Sequence, residues 1–247
     1  MQKSKLILGI VIMLTVTYLG LQIFEQETAA SFVRPAIIPL LTLAYIFKFK
    51  DISSYFFLFL FSYSLSEIIG TLGYFAYENE LIDNFQYYTG NLLYLFAYIC
   101  LILEVYKHLN IRKLIKQFPL HILILLVLDI YCVVLVSKIS ITSGYMVNNI
   151  EFIIEILYNI SIMLLLTITL VNYLSNDSNK SMSLLIGSLC ILFSEVLQVA
   201  FYYVKYIHII EVVSNIMLII AFILFYIQSS MSYSAVNKFK TLDKLEA

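Results

Sequence analysis

The chain has 247 residues, 62% of them hydrophobic and only 13% charged, with a mean hydropathy of +0.93 and a net charge of −1. Soluble domains carry about a quarter charged residues, so this deficit excludes a soluble globular protein, and the near-neutral balance argues against a nucleic-acid partner. Cys100, Cys132 and Cys190 lie in apolar runs, are odd in number and lack metal-ligand spacing; they read as packing residues, and no metal or cofactor is expected.

A spanning helix needs roughly 20 mostly apolar residues to cross about 30 Å of hydrocarbon, and eight stretches are candidates. Leu6–Phe24 follows Lys3 and Lys5. Its apolar run is longer than a signal-peptide core and no clean small-residue cleavage site follows, so it reads as a retained helix. Ser31–Phe47 is short and carries Arg34, with Pro35 and Pro39 expected to disturb its first turns. Ser53–Tyr77 carries Glu67, Phe85–Val105 follows, and the short Leu120–Val136 carries Asp129. Ile150–Leu174 holds Glu151, Glu155, Tyr158 and Asn159, Met182–Tyr206 holds Glu195 and Gln198, and Ile209–Ser229 closes the series. None alternates with period 2 between turns, which argues against a β-barrel. The breaks are short and polar, so residues 1–231 read as a single integral membrane domain and 232–247 as a polar tail. The expected class is all-α, a polytopic bundle of eight transmembrane helices.

Cytoplasmic loops carry the excess of Lys and Arg. With eight spans, 12 of the 15 basic residues fall on the side of both termini and three, Arg34, Lys138 and Lys205, on the other. Both termini are therefore expected in the cytoplasm, in a plasma or inner membrane, with the loop "HLNIRKLIKQFP" lying on the anionic inner leaflet.

A carboxylate at the bilayer centre costs at least about 2.5–3.5 kcal/mol, so Glu67 and Glu195 need inward faces and partners. At helical spacing, Glu67 shares a stripe with Tyr63, Ser64, Gly70, Thr71 and Tyr74, and Glu195 with Ser188, Gln198 and Tyr202. A third stripe holds Glu151, Glu155, Tyr158 and Asn159. Arg34 needs a carboxylate across the bundle, so the expected constellation is Arg34, Glu67, Glu155 and Glu195 ringed by tyrosines. Asp129, with apolar neighbours, reads as a hydrogen bond to an adjacent helix. Glu104, Glu151 and Glu211 read as interfacial, and His121 and His208 lack a second ligand at i+4. "SEIIGTLGYF" at Ser66 and "SEVLQVAFYY" at Ser194 align at an offset of 128 residues, raising the expectation of a two-fold 4+4 repeat.

Several of these residues form an ordered series: Arg34-Pro35, Phe61-Ser62 ahead of Ser66-Glu67, Gly90 leading to Ala97-Tyr98, Tyr158 with Met163, and Gly187 leading to Ser194-Glu195. In order and most of its spacing the series resembles the YhhN family of membrane proteins, which includes the lysoplasmalogenases, over about two-thirds of the chain. Glu67 and Glu195 stand where the family has Asp, Tyr98 stands where it has His, and the Phe-Ser pair is one residue out of register. The resemblance implies a hydrolase that cleaves the vinyl-ether bond of lysoplasmalogens to a fatty aldehyde and a glycerophospho-head group.

The residues suit that chemistry. A general acid protonates carbon, water attacks the oxocarbenium-like centre, and a second carboxyl stays ionised, a division of labour also used by glycosidases. Burial raises a carboxyl pKa and a neighbouring Arg lowers it, so one glutamate beside Arg34 and one away from it would serve. Glu67 and Glu195 are the expected catalytic pair, with acid and base unassigned. Arg34, Tyr98, Glu155, Tyr158 and Asn159 are expected to bind a membrane lipid or lysophospholipid substrate. Two other readings stay open, a non-catalytic lipid-binding relative and a small proton-coupled transporter.

Overall fold

A computed structural model describes residues 2–50, 52–71, 80–109, 114, 119–142, 148–231 and 233. The principal helices are α1 (Gln2–Ile23), α2 (Glu27–Lys48), α3 (Ser54–Gly70), α4 (Glu80–Tyr106), α5 (Pro119–Thr142), α6 (Asn149–Asn176), α7 (Asn179–Val199) and α8 (His208–Gln228). A π-helical turn, Ala200–Val204, continues α7, and no strand occurs among the described residues. Seven helices are long and apolar enough to span a membrane, and α3 is a shorter apolar helix. At 1.5 Å per residue its 17 residues reach about 25 Å.

Several expected boundaries shift. The two short candidates become full-length helices of 22 and 24 residues, because polar ends such as Glu27 and Lys48 continue the backbone hydrogen bonding beyond the apolar run. Pro35 and Pro39 lie well inside α2, which runs unbroken through both, so they do not disturb its first turns. Inside a bundle, neighbouring helices and local adjustments accommodate proline. Of the third candidate, the described helix covers Ser54–Gly70; Tyr74 and the rest of 72–79 lie outside the described residues. So do most of the "HLNIRKLIKQFP" loop and, apart from Tyr233, the tail from Ser232 onward.

Turn chemistry explains the tight connections. Asp177 closes α6 in the left-handed region at φ 34°, where Asp is tolerated. Ser178 then caps α7, its hydroxyl accepting from the Ser181 N–H while the Ser181 side chain accepts from the Ser178 N–H. α1 and α2 turn through Glu25, also left-handed at φ 55°.

Cross-helix bonds fix the directions. Ser66 donates to the Gly90 carbonyl and Gln86 to the Gly70 carbonyl, so α3 and α4 run antiparallel. Ser4 meets Tyr226 and Asn215 meets Tyr18, setting α1 antiparallel to α8. Gln2 and Gln228 therefore share one end of the bundle, the terminal end, and the α1–α2 turn marks the opposite, turn end. In sequence neighbours, α1 packs on α2, α2 on α3, α3 on α4, and likewise α5 on α6, α6 on α7, α7 on α8. The two sets meet where α4 packs on α6 and α2 on α8.

An aromatic layer of Tyr45, Phe56, Phe59, Tyr63, Phe222 and Phe225 fills the centre, with Phe59 and Phe222 stacked at 5.3 Å. Gly187 is required there. A Cβ on it would come within 2.6 Å of the fully buried Phe225 ring.

Candidate functional site

α3 delivers Glu67 three residues before its end, and α2 delivers Arg34 seven residues after its start. Both positions lie in the turn-end half of the bundle. An Arg34 Nη donates to Glu67 Oε1 at 3.2 Å, and the Tyr94 hydroxyl donates to the same oxygen at 3.0 Å. The Glu67 side chain is 3% exposed and that of Arg34 30%, so the carboxylate is enclosed while the arginine side chain is only partly covered. Besides Glu67, the guanidinium interacts electrostatically with Tyr94, Tyr63 and Tyr18.

Glu195 on α7 has a different environment. The Tyr98 hydroxyl on α4 and the Tyr158 hydroxyl on α6 both donate to its Oε1, at 2.8 and 2.6 Å. Among the described residues it makes no ion pair, unlike Glu67. It is 9% exposed, enclosed by α4 and α6 against its own helix.

Aromatic rings join the two carboxyls. Tyr94 packs on Tyr63 at 4.6 Å, Tyr63 on Tyr98 at 6.1 Å, and Tyr98 on Tyr158 at 5.6 Å. Tyr63 is buried between them and interacts electrostatically with both Glu67 and Glu195. One continuous tyrosine cluster thus runs from the Arg34–Glu67 pair to Glu195. Tyr94 and Tyr98 stand at i and i+4 on α4, one turn below Gly90, whose carbonyl accepts from Ser66 at 2.9 Å.

Glu155 departs from the expected constellation. It accepts from Ser140 on α5 at 3.2 Å and from Asn159 at 3.4 Å, and no hydrogen bond or ion pair ties it to Arg34 or Glu67. One turn separates it from Tyr158 along α6, which places it beside Glu195 and not beside the arginine. Asn159 is buried through this bond to Glu155 and does not reach the carboxyl pair directly. Tyr202, expected on the Glu195 stripe, is 64% exposed. The π-helical turn changes the residues per turn, which rotates Tyr202 outward. Asp129 accepts from Thr167 on α6 at 2.7 Å, a bond between neighbouring helices. Glu104 accepts from Ser53 and Lys107 at the terminal end.

Two parts of the site escaped the sequence reading. Tyr94 was hidden among 20 tyrosines, although its four-residue spacing from Tyr98 marks the shared face. The second is a polar link beside Arg34, where the Tyr18 hydroxyl accepts from Gln22 at 3.2 Å and from Asn215 at 2.8 Å. Tyr18 and Gln22 lie one turn apart on α1, but Asn215 comes from α8, and nothing local pairs it with them. For metals, no group of three His, Cys, Asp or Glu side chains converges among the described residues.

Fold and site together define an all-helical protein with helices fit to span a membrane and a carboxyl–tyrosine centre buried between them. No protein-family model, no curated protein and no solved structure matches the chain.

Proposed function

We propose that this chain is a membrane-embedded hydrolase of lipid vinyl ethers, a divergent relative of the lysoplasmalogenases. The observation that carries this reading is the unequal pair of glutamates. Glu67 is directly ion-paired with a cation, whereas the hydrogen-bond donors to Glu195 among the described residues are tyrosine hydroxyls, at the two ends of one buried cluster. Acid/base catalysis at one bond needs such a difference between two carboxyls.

In this mechanism Glu195 is the acid and Glu67 the base. Tyr98 and Tyr158 occupy Oε1 of Glu195, leaving Oε2 to carry the proton. Glu195 gives that proton to the vinyl carbon farther from the ether oxygen, and the electron pair of the double bond forms the new C–H bond. The positive charge that develops on the carbon–oxygen unit faces Glu67. Water attacks that carbon and gives a proton to Glu67, and the resulting hemiacetal breaks to an aldehyde and an alcohol. Arg34, partly open at the turn end, holds the Glu67 carboxylate with one nitrogen and offers its remaining donors to a lipid phosphate.

The reading also takes α3 as an eighth span and both termini as cytoplasmic, in a plasma or inner membrane. A 4+4 repeat is supported by the two sets of neighbour contacts. Exchanging α1–α4 with α5–α8 turns the α4–α6 contact into the α8–α2 contact, and it carries Glu67 onto Glu195. The same two-fold pattern, with the π-helical break after Glu195, supports a second reading as a proton-coupled transporter. Purified protein incubated with lysoplasmalogen tests the choice. The hydrolase releases fatty aldehyde, and Glu195→Gln abolishes the release. A folded sample that releases none ends the hydrolase reading for that substrate.

A further inference from the structure

The α6 face that ends at Glu195 begins at the edge of the bundle. Glu151 stands in the first turn of α6 and accepts from Asn148 at 3.3 Å and from Tyr88 of α4 at 3.5 Å. One turn deeper is Glu155, held by Ser140 and Asn159. Less than a turn further, Tyr158 donates to Glu195. From Glu151 to Tyr158 the helix rises about 10 Å. These groups share a face because residues three and four apart on a helix are neighbours.

Other elements close over the same strip. Tyr87 of α4 and Tyr203 of the π-helical turn both interact electrostatically with Glu151 and Glu155. Glu155 in turn interacts with Glu195 across from α7. Ser140 from α5 and Asn159 on its own helix are bonded to Glu155, and Tyr87 from α4, Tyr203 from the π-helical turn and Glu195 from α7 are close enough to couple electrostatically with it, with Glu151 one turn away on α6. None is cationic. Glu155 thus stands between two other carboxyls with no cationic partner among the described residues, and intramembrane carboxyls in sequence are the usual material of proton relays.

We infer that Glu155 is a proton-relay residue that reloads Glu195 from the turn end of the bundle, along Glu151, Glu155 and Tyr158. The inference rests on the reading of Glu195 as proton donor. In each reload, Glu155 gives its carboxyl proton to a water molecule or directly to the Tyr158 oxygen. Tyr158 passes its own hydroxyl proton to Oε1 of Glu195, a half-turn of the carboxyl group presents that proton to the substrate side, and Glu155 regains one from Glu151 or from water at the edge. No charge is left behind. In this proposal Glu155 acts through Tyr158 and Glu195, as a positioning and relay group.

The test follows the proton and not the product. Infrared difference spectra of the full chain in detergent are recorded during transfer to deuterated buffer. The carboxylic C=O band of Glu195 is identified by its loss in Glu195→Gln. Glu155→Gln keeps the acceptor oxygen for Ser140 and Asn159 while removing the exchangeable carboxyl. The expected result is a Glu195 band that persists in Glu155→Gln and exchanges at least about tenfold more slowly, the lower end of what a proton-transfer group contributes. Glu155→Asp, which keeps a carboxyl, exchanges faster than Glu155→Gln. Glu151→Gln, at the edge of the bundle where folding is safe, also slows exchange. Equal exchange in the wild type and the Gln variants, or no protonated Glu195 band in the wild type, overturns the relay. A failure of aldehyde release with slowed exchange intact would instead fall on the choice of substrate.

Discussion

Replacing Arg34 by Met removes the cation and keeps the length of the side chain. At 3.2 Å and an effective dielectric of about 20, the pair attracts by about 5 kcal/mol before desolvation is charged against it. Removing one partner of a fully buried pair costs about 3–5 kcal/mol, because the other charge is left unpaired. Arg34 is 30% exposed and Tyr94 still donates to Glu67, so the expected loss is smaller, about 2–3 kcal/mol. Glu67→Gln removes the charge and keeps an acceptor, and costs about 1–2 kcal/mol. In the double variant no charge is stranded, so it should be less destabilised than the sum of the singles by about 1–2 kcal/mol. Equilibrium unfolding in mixed detergent micelles measures all four proteins. Additivity within about 0.5 kcal/mol would refute the pairing and with it the distinction between the two glutamates.

Tyr98→Phe and Tyr158→Phe each delete one hydroxyl from Glu195 Oε1. At about 1 kcal/mol per bond, each should lower kcat for vinyl-ether hydrolysis roughly five-fold, with KM unchanged in steady-state assays. Gly187→Val places carbon where the Phe225 ring stands, 2.6 Å from the first added atom, and should cost at least about 1–3 kcal/mol of stability, read as a lowered Tm. His108, just beyond α4, is held below the ordinary imidazole value by burial and by Lys107 and Lys180, against the opposing pull of Glu104. Folding therefore keeps it neutral where the unfolded chain would take a proton, so its stability contribution is present above about pH 6.5 and is lost as pH falls below it. His108→Gln should flatten that dependence in a Tm series across pH 5–7.

The sequence makes the spans legible because a membrane helix must be continuously apolar, and its polar exceptions then stand out. Arg34, Glu67 and Glu195 are visible for that reason. What pairs with what is less legible. The polar ends of α2 and α5 hide their true lengths, since a helix can carry Glu27 or Thr142 once it reaches the headgroups. Tyr202 is misplaced by a π-helical turn that composition does not announce. Glu155 shares a stripe with Tyr158, but its partner Ser140 comes from a helix whose facing side cannot be read from one apolar run. Asn215 meets Tyr18 only because α1 and α8 close the bundle, a contact across nearly the whole chain.

The central claim is that a buried carboxyl protonates carbon. Hydrolysis of a lysoplasmalogen in deuterated buffer, with the aldehyde trapped at once by borohydride reduction, measures it directly. The account predicts a single deuterium on the carbon next to the former aldehyde carbon, in a product that Glu195→Gln does not form. An aldehyde without that deuterium, or one formed equally by Glu195→Gln, would contradict it.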